Sequence, residues 1–175
     1  MSGDTFTWSE ILLPLETQLA ISREDLDDYD DNYVRRFTGP IQLVLEDDGE
    51  PFDIGRIELW HIDGSRVAEN DLDIVDICDS IGADEEVYAS AVYTAGSIDT
   101  TVVENPFSND VLVVHHLELA DEYRRRALEA PILGKIKDVL AYHCAAVLVD
   151  SELAMLVADD LDLAPTTDQR IRVLF

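Results

Sequence analysis

Apolar and polar positions fall into distinct patterns along this chain, and each pattern predicts an element. Ile41-Gln42-Leu43-Val44-Leu45-Glu46 alternates with a period of two, Asp47-Asp48-Gly49-Glu50 turns, and Ile54 to Ile62 alternates again. Asp-Gly between two such runs is a strong signal for an antiparallel hairpin. Upstream, Ile11 to Ile21 alternates loosely, and Pro14 places that strand at an edge or a bulge. From Ala68 to Tyr93, Leu72, Val75, Ile77, Ile81, Val87, Ala91 and Val92 recur at helical spacing, which predicts one or two helices. Asp71, Asp73 and Asp76 suit the positive end of the helix dipole in the opening turns, and Gly82 ends the first segment. Thr94 to Asn109, rich in Gly, Ser, Thr and Asn, reads as a loop.

The chain is organised around Asp110 to Ser151. The apolar run Val111 to Val114 continues through His115-His116 into Leu117-Glu118-Leu119 and predicts a mostly buried strand. Three consecutive arginines, Arg124 to Arg126, precede a helical pattern that opens near Pro131, and Ala145 to Val149 predicts a second strand. Strand, basic turn, helix and strand make a βαβ unit, usually parallel and right-handed. Its first turn presents free backbone N–H groups, where anionic ligands are held. Strict alternation along the first strand puts Leu112, Val114, His116, Glu118 and Ala120 on one face, with Val113, His115, Leu117 and Leu119 on the other. Glu152 to Ala158 continues as a short helix, Pro165 to Asp168 breaks the chain, and Arg170 to Phe175 alternates as a final strand.

This order predicts a single α/β domain with a mixed central sheet flanked by helices. Strands and a hairpin occupy 1–66, helices and a loop 68–109, the βαβ unit 110–151, and a helix and strand 152–175. At 175 residues the core needs no disulfide staples.

Charge sharpens the picture. The net formal charge is −26, from 24 Asp and 14 Glu against 10 Arg and 2 Lys. Repulsion on that scale is costly unless salt or partners screen it, and a high-salt cytoplasm selects an Asp-rich, Lys-poor surface of this halophile-like kind. A polyanionic nucleic-acid mimic is the alternative. The acidity is uneven: residues 111–149 hold 5 acids and 5 bases, so the whole excess lies outside the βαβ stretch. A segment spared the general acidity suits an anionic ligand. The acidic run Glu24 to Asp31 reads as a solvated surface or, functionally, as a recruiter of cations.

Cys78 and Cys144 are far apart and lack metal spacing, which predicts buried thiols rather than a bridge. The N-terminal segment lacks a positive start followed by an apolar core, and no apolar run reaches membrane-span length. A soluble cytoplasmic protein is expected.

The stretch Leu117-Glu118-Leu119-Ala120-Asp121-Glu122-Tyr123-Arg124, followed by Arg125-Arg126-Ala127-Leu128-Glu129, resembles the acyl-CoA-binding signature of the GCN5-related N-acetyltransferase (GNAT) superfamily. That signature is a hydrophobic strand, then Arg/Gln-x-x-Gly-x-Gly/Ala leading into a helix. Arg124 fits the leading position, Ala127 stands where the pattern has glycine, and Glu129 where it has a small residue. In the frame shifted by one, Arg125-x-x-Leu128-x-Ala130 regains the last position and loses the middle one.

The resemblance implies a GNAT-like fold, acetyl-CoA as acyl donor, and direct transfer to an amine in a ternary complex. Arg124, Arg125 and Arg126, with the amides of Ala127, Leu128, Glu129 and Ala130, would hold the pyrophosphate; backbone groups near Leu117 and Leu119 would meet the pantetheine arm. His116 and Glu118, neighbours at i and i+2, are the candidate bases, directly or through water; a core hydrogen-bonded pair is the structural alternative. The family's general-acid tyrosine has no counterpart in residues 152–162, which leaves Tyr142 and Tyr93 as substitutes. No metal is implied. Expected partners are a small-molecule or peptide amine and, in a homodimer, a second copy; neither nucleic acid nor membrane is expected. A GNAT-like module that binds a partner without catalysis is the alternative function.

Overall fold

The computed structural model describes residues 8–18, 33–45, 49–94, 97–101, 103 and 107–175. The acidic run at 24–31 and the Asp47-Asp48 half of the expected turn lie outside them. In chain order the elements are β1 (Trp8–Leu12), β2 (Glu16–Gln18), β3 (Val34–Leu45), β4 (Pro51–Ile62), α1 (Gly64–Glu69), α2 (Ile74–Ile81), α3 (Ala83–Val92), β5 (Tyr93–Thr94), β6 (Ser97–Ile98) and β7 (Val111–Leu119). Then follow one 3-10 turn (Arg124–Arg126), α4 (Glu129–Leu140), β8 (Ala146–Asp150), α5 (Ser151–Val157), β9 (Leu163–Pro165) and β10 (Ile171–Leu174).

Eight strands form one mixed sheet in the order β1-β3-β4-β7-β8-β10-β9, with β2 also on β3. Among the described residues only the β7–β8 pair is parallel. The expected hairpin is β3–β4, longer than its clean alternation suggested, because pairing carries β3 back to Val34 and starts β4 at Pro51. Ile11 to Ile21 is not one strand: the described part is β1 and β2, interrupted at Leu13–Leu15 around Pro14. Proline cannot donate to a ladder, so the chain leaves the sheet edge there.

Both faces of the sheet are covered. On one, Leu43, Ile57, Leu59, Val114 and Val147 pack with Ile132, Leu133 and Ile136 of α4 and Val157 of α5. On the other, Val34, Trp60, Ile62, Val111 and Val113 pack with Val67 of α1, Ile74 and Ile77 of α2, and Tyr88 and Val92 of α3. The structure is thus an α/β mixed sheet with helices on both sides, and no helix among the described residues is long and apolar enough to cross a membrane.

Two helices, α2 and α3, fill the expected stretch from Ala68 to Tyr93, and a further one, α1, opens ahead of it at Gly64. Aspartates set the starts of α1 and α2. Asp63 accepts from the Arg66 N–H at 3.0 Å, and Asp73 from the Val75 N–H at 2.9 Å. Each satisfies a donor the helix itself cannot. Asp71 lies outside a helix, in a left-handed turn at φ 55°. The sequence leaves room at the C-terminus for one strand or a very short pair, and the structure has the pair: Pro165 lies in β9, which occupies the sheet edge, the place where a missing N–H costs least. Cys78 and Cys144 are free and buried, and burial pushes both thiols up to about 12.

Candidate functional site

Strand β7 changes character halfway. Val111 to Val114 pair with Ala146 to Val149 of β8 on one side and with β4 on the other. Then β8 ends and α5 begins, while β7 runs on to Leu119 against β4 alone. Leu59 is opposite Val114 and Glu58 is opposite His116, so His115 is an extra residue, a β-bulge.

The bulge corrects the expected faces. One inserted residue reverses which face every later side chain takes. Leu117 and Leu119 therefore join Leu112 and Val114 in the core beneath α4. His116 and Glu118 turn to the opposite face and are about half exposed, with His116 Nε2 at 3.6 Å from Glu118 Oε2. They are a surface pair, not a core pair.

Pairing also settles where the backbone points. The Ala120 N–H donates to the Ile54 carbonyl at 2.8 Å, which makes Gly55 and Leu119 a non-hydrogen-bonded pair. The backbone groups of Leu117 and Leu119 then face away from β4, toward the side where β8 has ended. Among the described residues no strand pairs with them there. Gly55 permits the close fit on the other side, since a Cβ there would run into the Glu118 carbonyl oxygen and Leu119 Cα.

Arg124 folds back on this edge. Its Nε donates to the Leu119 carbonyl at 2.9 Å, its Nη2 lies 3.3 Å from Glu118 Oε1, and its Nη1 lies 3.7 Å from Asp121. Arg126 Nε donates to the Glu122 carbonyl at 3.4 Å. For Arg125 only the backbone is described. Ala127 is left-handed at φ 52°, a conformation that costs a residue with a Cβ about 1 kcal/mol. Leu128 and Ala130 are buried in the core, so only their backbone is available to a ligand. Glu129, in the first turn of α4, is also buried. It is not the outward-pointing dipole cap that a first-turn carboxylate can be.

The open face beside His116 holds groups the sequence did not single out. Glu58 lies opposite His116 and accepts from Trp60 Nε1 at 2.8 Å. His115 stacks on Trp60 with ring centres 3.7 Å apart, and Tyr88 meets Trp60 edge-on. The buried His115 Nδ1 has no hydrogen-bond partner among the described residues. From β3, Arg36 lies 5.5 Å over the Trp60 ring and pairs with the buried carboxylate of Glu85. Arg36 and Glu85 are 49 residues apart, beyond the reach of any local signal.

The substitute acids fare unequally. The Tyr93 hydroxyl donates to the Asn109 carbonyl, and burial first, then Asp110, pushes it well above its ordinary value. Tyr142 is exposed and lies beside His143, just past the end of α4. Among the described residues no three His, Cys, Asp or Glu side chains gather as a metal site. Comparison with protein-family models, curated proteins and solved structures finds no match for the chain.

Proposed function

We propose that this chain is a GNAT-like, acyl-CoA-dependent N-acyltransferase that passes an acetyl group from acetyl-CoA directly to an amine in a ternary complex. The observation carrying this reading is the half of β7 beyond His115, whose outward backbone groups at Leu117 and Leu119 face no strand among the described residues. An extended ligand with amide groups, such as a pantetheine arm, satisfies such an edge as a strand would. Arg124 and the turn from Arg125 through Ala130 then face the diphosphate. Left-handed Ala127 stands where the family pattern has glycine, and that is the conformation glycine adopts without cost.

Arg124 does not bar the site. Its pair with Glu118 is more than half exposed on both sides, and such pairs contribute about 0–1 kcal/mol. A charge-assisted bond to phosphate outweighs that, and release of Arg124 returns the Leu119 carbonyl to the ligand. Glu129 opposes binding: a carboxylate about 5 Å from a phosphate costs about 1–3 kcal/mol.

When bound, acetyl-CoA supplies an activated thioester carbonyl. The chain's own part is to remove the amine's proton. Glu118 Oε2 lies 3.6 Å from His116 Nε2, which orients the imidazole, and the move of Arg124 to the diphosphate frees the other carboxylate oxygen. Either group then takes the proton, directly or through water.

Calorimetry or a thermal-shift titration with acetyl-CoA at low and high salt tests this. Arg124→Ala weakens binding about ten-fold and Glu129→Gly strengthens it; no stabilisation of the native chain under either condition ends the proposal. A second reading, a GNAT-like module that binds a partner and catalyses nothing, is favoured by the self-paired Arg124, the buried Glu129 and the absence of tyrosine from 152–162. It predicts neither substitution effect and a stable protein complex instead.

A further inference from the structure

Arg36 is placed as a ligand would be. Its guanidinium lies over the face of Trp60 and pairs with Glu85, a carboxylate only 3% exposed on α3. An aromatic face backed by a buried carboxylate is a general receptor for organic cations. Arg36 itself is a rim residue whose side chain is 44% exposed, so it reaches the receptor from solvent. We propose that Trp60 and Glu85 form a subsite for the far ammonium group of a diamine or a lysine-like acceptor, and that Arg36 fills it in the free protein. This rests on the N-acyltransferase reading and names its acceptor class.

Register sets the acceptor's length. Trp60 and Glu58 are two residues apart on one face of β4, about 7 Å along the strand. Glu58 lies opposite His116, the candidate base. A cation docked at Trp60 and Glu85 therefore places a second amine beside Glu58 and His116 when about four or five methylenes separate the two. While that second amine is still protonated, Glu58 and Glu118 attract it; His116 and Glu118 then serve its deprotonation.

Binding is read by calorimetry without any acyl-CoA, so failure here is separate from failure of the acyltransferase reading. The probes are 1,4-diaminobutane and n-butylamine in about 1 M salt, where screening over about 3 Å removes diffuse attraction to an acidic surface. The native chain binds the diamine at least about ten-fold more tightly than the monoamine. Arg36→Ala tightens the diamine by about ten-fold, because the internal competitor is gone. Adding Glu85→Gln to that variant abolishes the gain, and Asp159→Asn, on a remote surface, changes nothing. If Arg36→Ala does not fold, Glu58→Gln in the otherwise native chain decides: it must erase the preference for the diamine. Equal binding of diamine and monoamine by the native chain, or a preference that survives Glu58→Gln, overturns the proposal.

Discussion

The two halves of β7 share one strand and obey different rules. Val111 to Val114 are paired on both sides and at most 4% exposed. His116 to Leu119 are paired on one side only, and two of their side chains, His116 and Glu118, are open to solvent. The first half is stabilised by burial and a complete ladder. The second keeps polar groups and unpaired backbone available because the bulge at His115 and the early end of β8 release it from both. A strand can thus be core at one end and binding surface at the other, with a single inserted residue as the divide.

Four comparisons separate the halves, from the largest expected difference to the smallest. Val113→Asn buries an amide in a closed apolar site and costs about 5 kcal/mol or more, whereas His116→Asn stays within about 0.5 kcal/mol; urea unfolding reads both. Deleting His115 leaves Val114 followed directly by His116, so regular alternation keeps Leu117 and Leu119 on the core face. The cost is the stack on Trp60, about 1.5 kcal/mol by the same measurement. A loss of about 3–4 kcal/mol, the burial of both leucines, would mean that His115 is not the inserted residue.

Asp110, just before the closed half, offers a pH handle. Burial raises its carboxyl, but hydrogen bonds from His61 and from Ser65 outweigh this and hold it below its ordinary value of 3.8. A depressed folded value means stability that is present above about pH 4 and lost as pH falls through that lower value. Asp110→Asn therefore costs about 1.5 kcal/mol near neutral pH, and the difference from the native chain closes in acid. A gap constant with pH would remove the charge from the account. The smallest effect lies beyond the open end: Ala127→Gly relieves a left-handed alanine and stabilises by about 0.5–1 kcal/mol.

Much of the architecture was legible. The β3–β4 hairpin, the parallel β7–α4–β8 unit and the buried cysteines follow from periodicity, turn chemistry and cysteine spacing. The misses share one origin. Alternation put His116 with Val114 because nothing in HHLEL marks an extra residue; the bulge exists only in pairing with Glu58 and Leu59. The pair Arg36–Glu85 joins β3 to α3 and leaves no periodic trace. Arg124 was legible as a cation, but not as the donor to Leu119 and neighbour of Glu118.

By itself, the sequence determined the β3–β4 hairpin, the order of the β7–α4–β8 unit, the charge-balanced segment around the arginines, and the interior position of the thiols. These depend on periods of two and 3.6 and on composition, which a chain carries locally. Only the tertiary structure decided which face His116 and Glu118 occupy, where β7 loses its second neighbour, and which carboxylate faces Arg36. Those outcomes depend on register against a partner strand and on packing across long separations, where one added residue reverses a face without altering the local pattern.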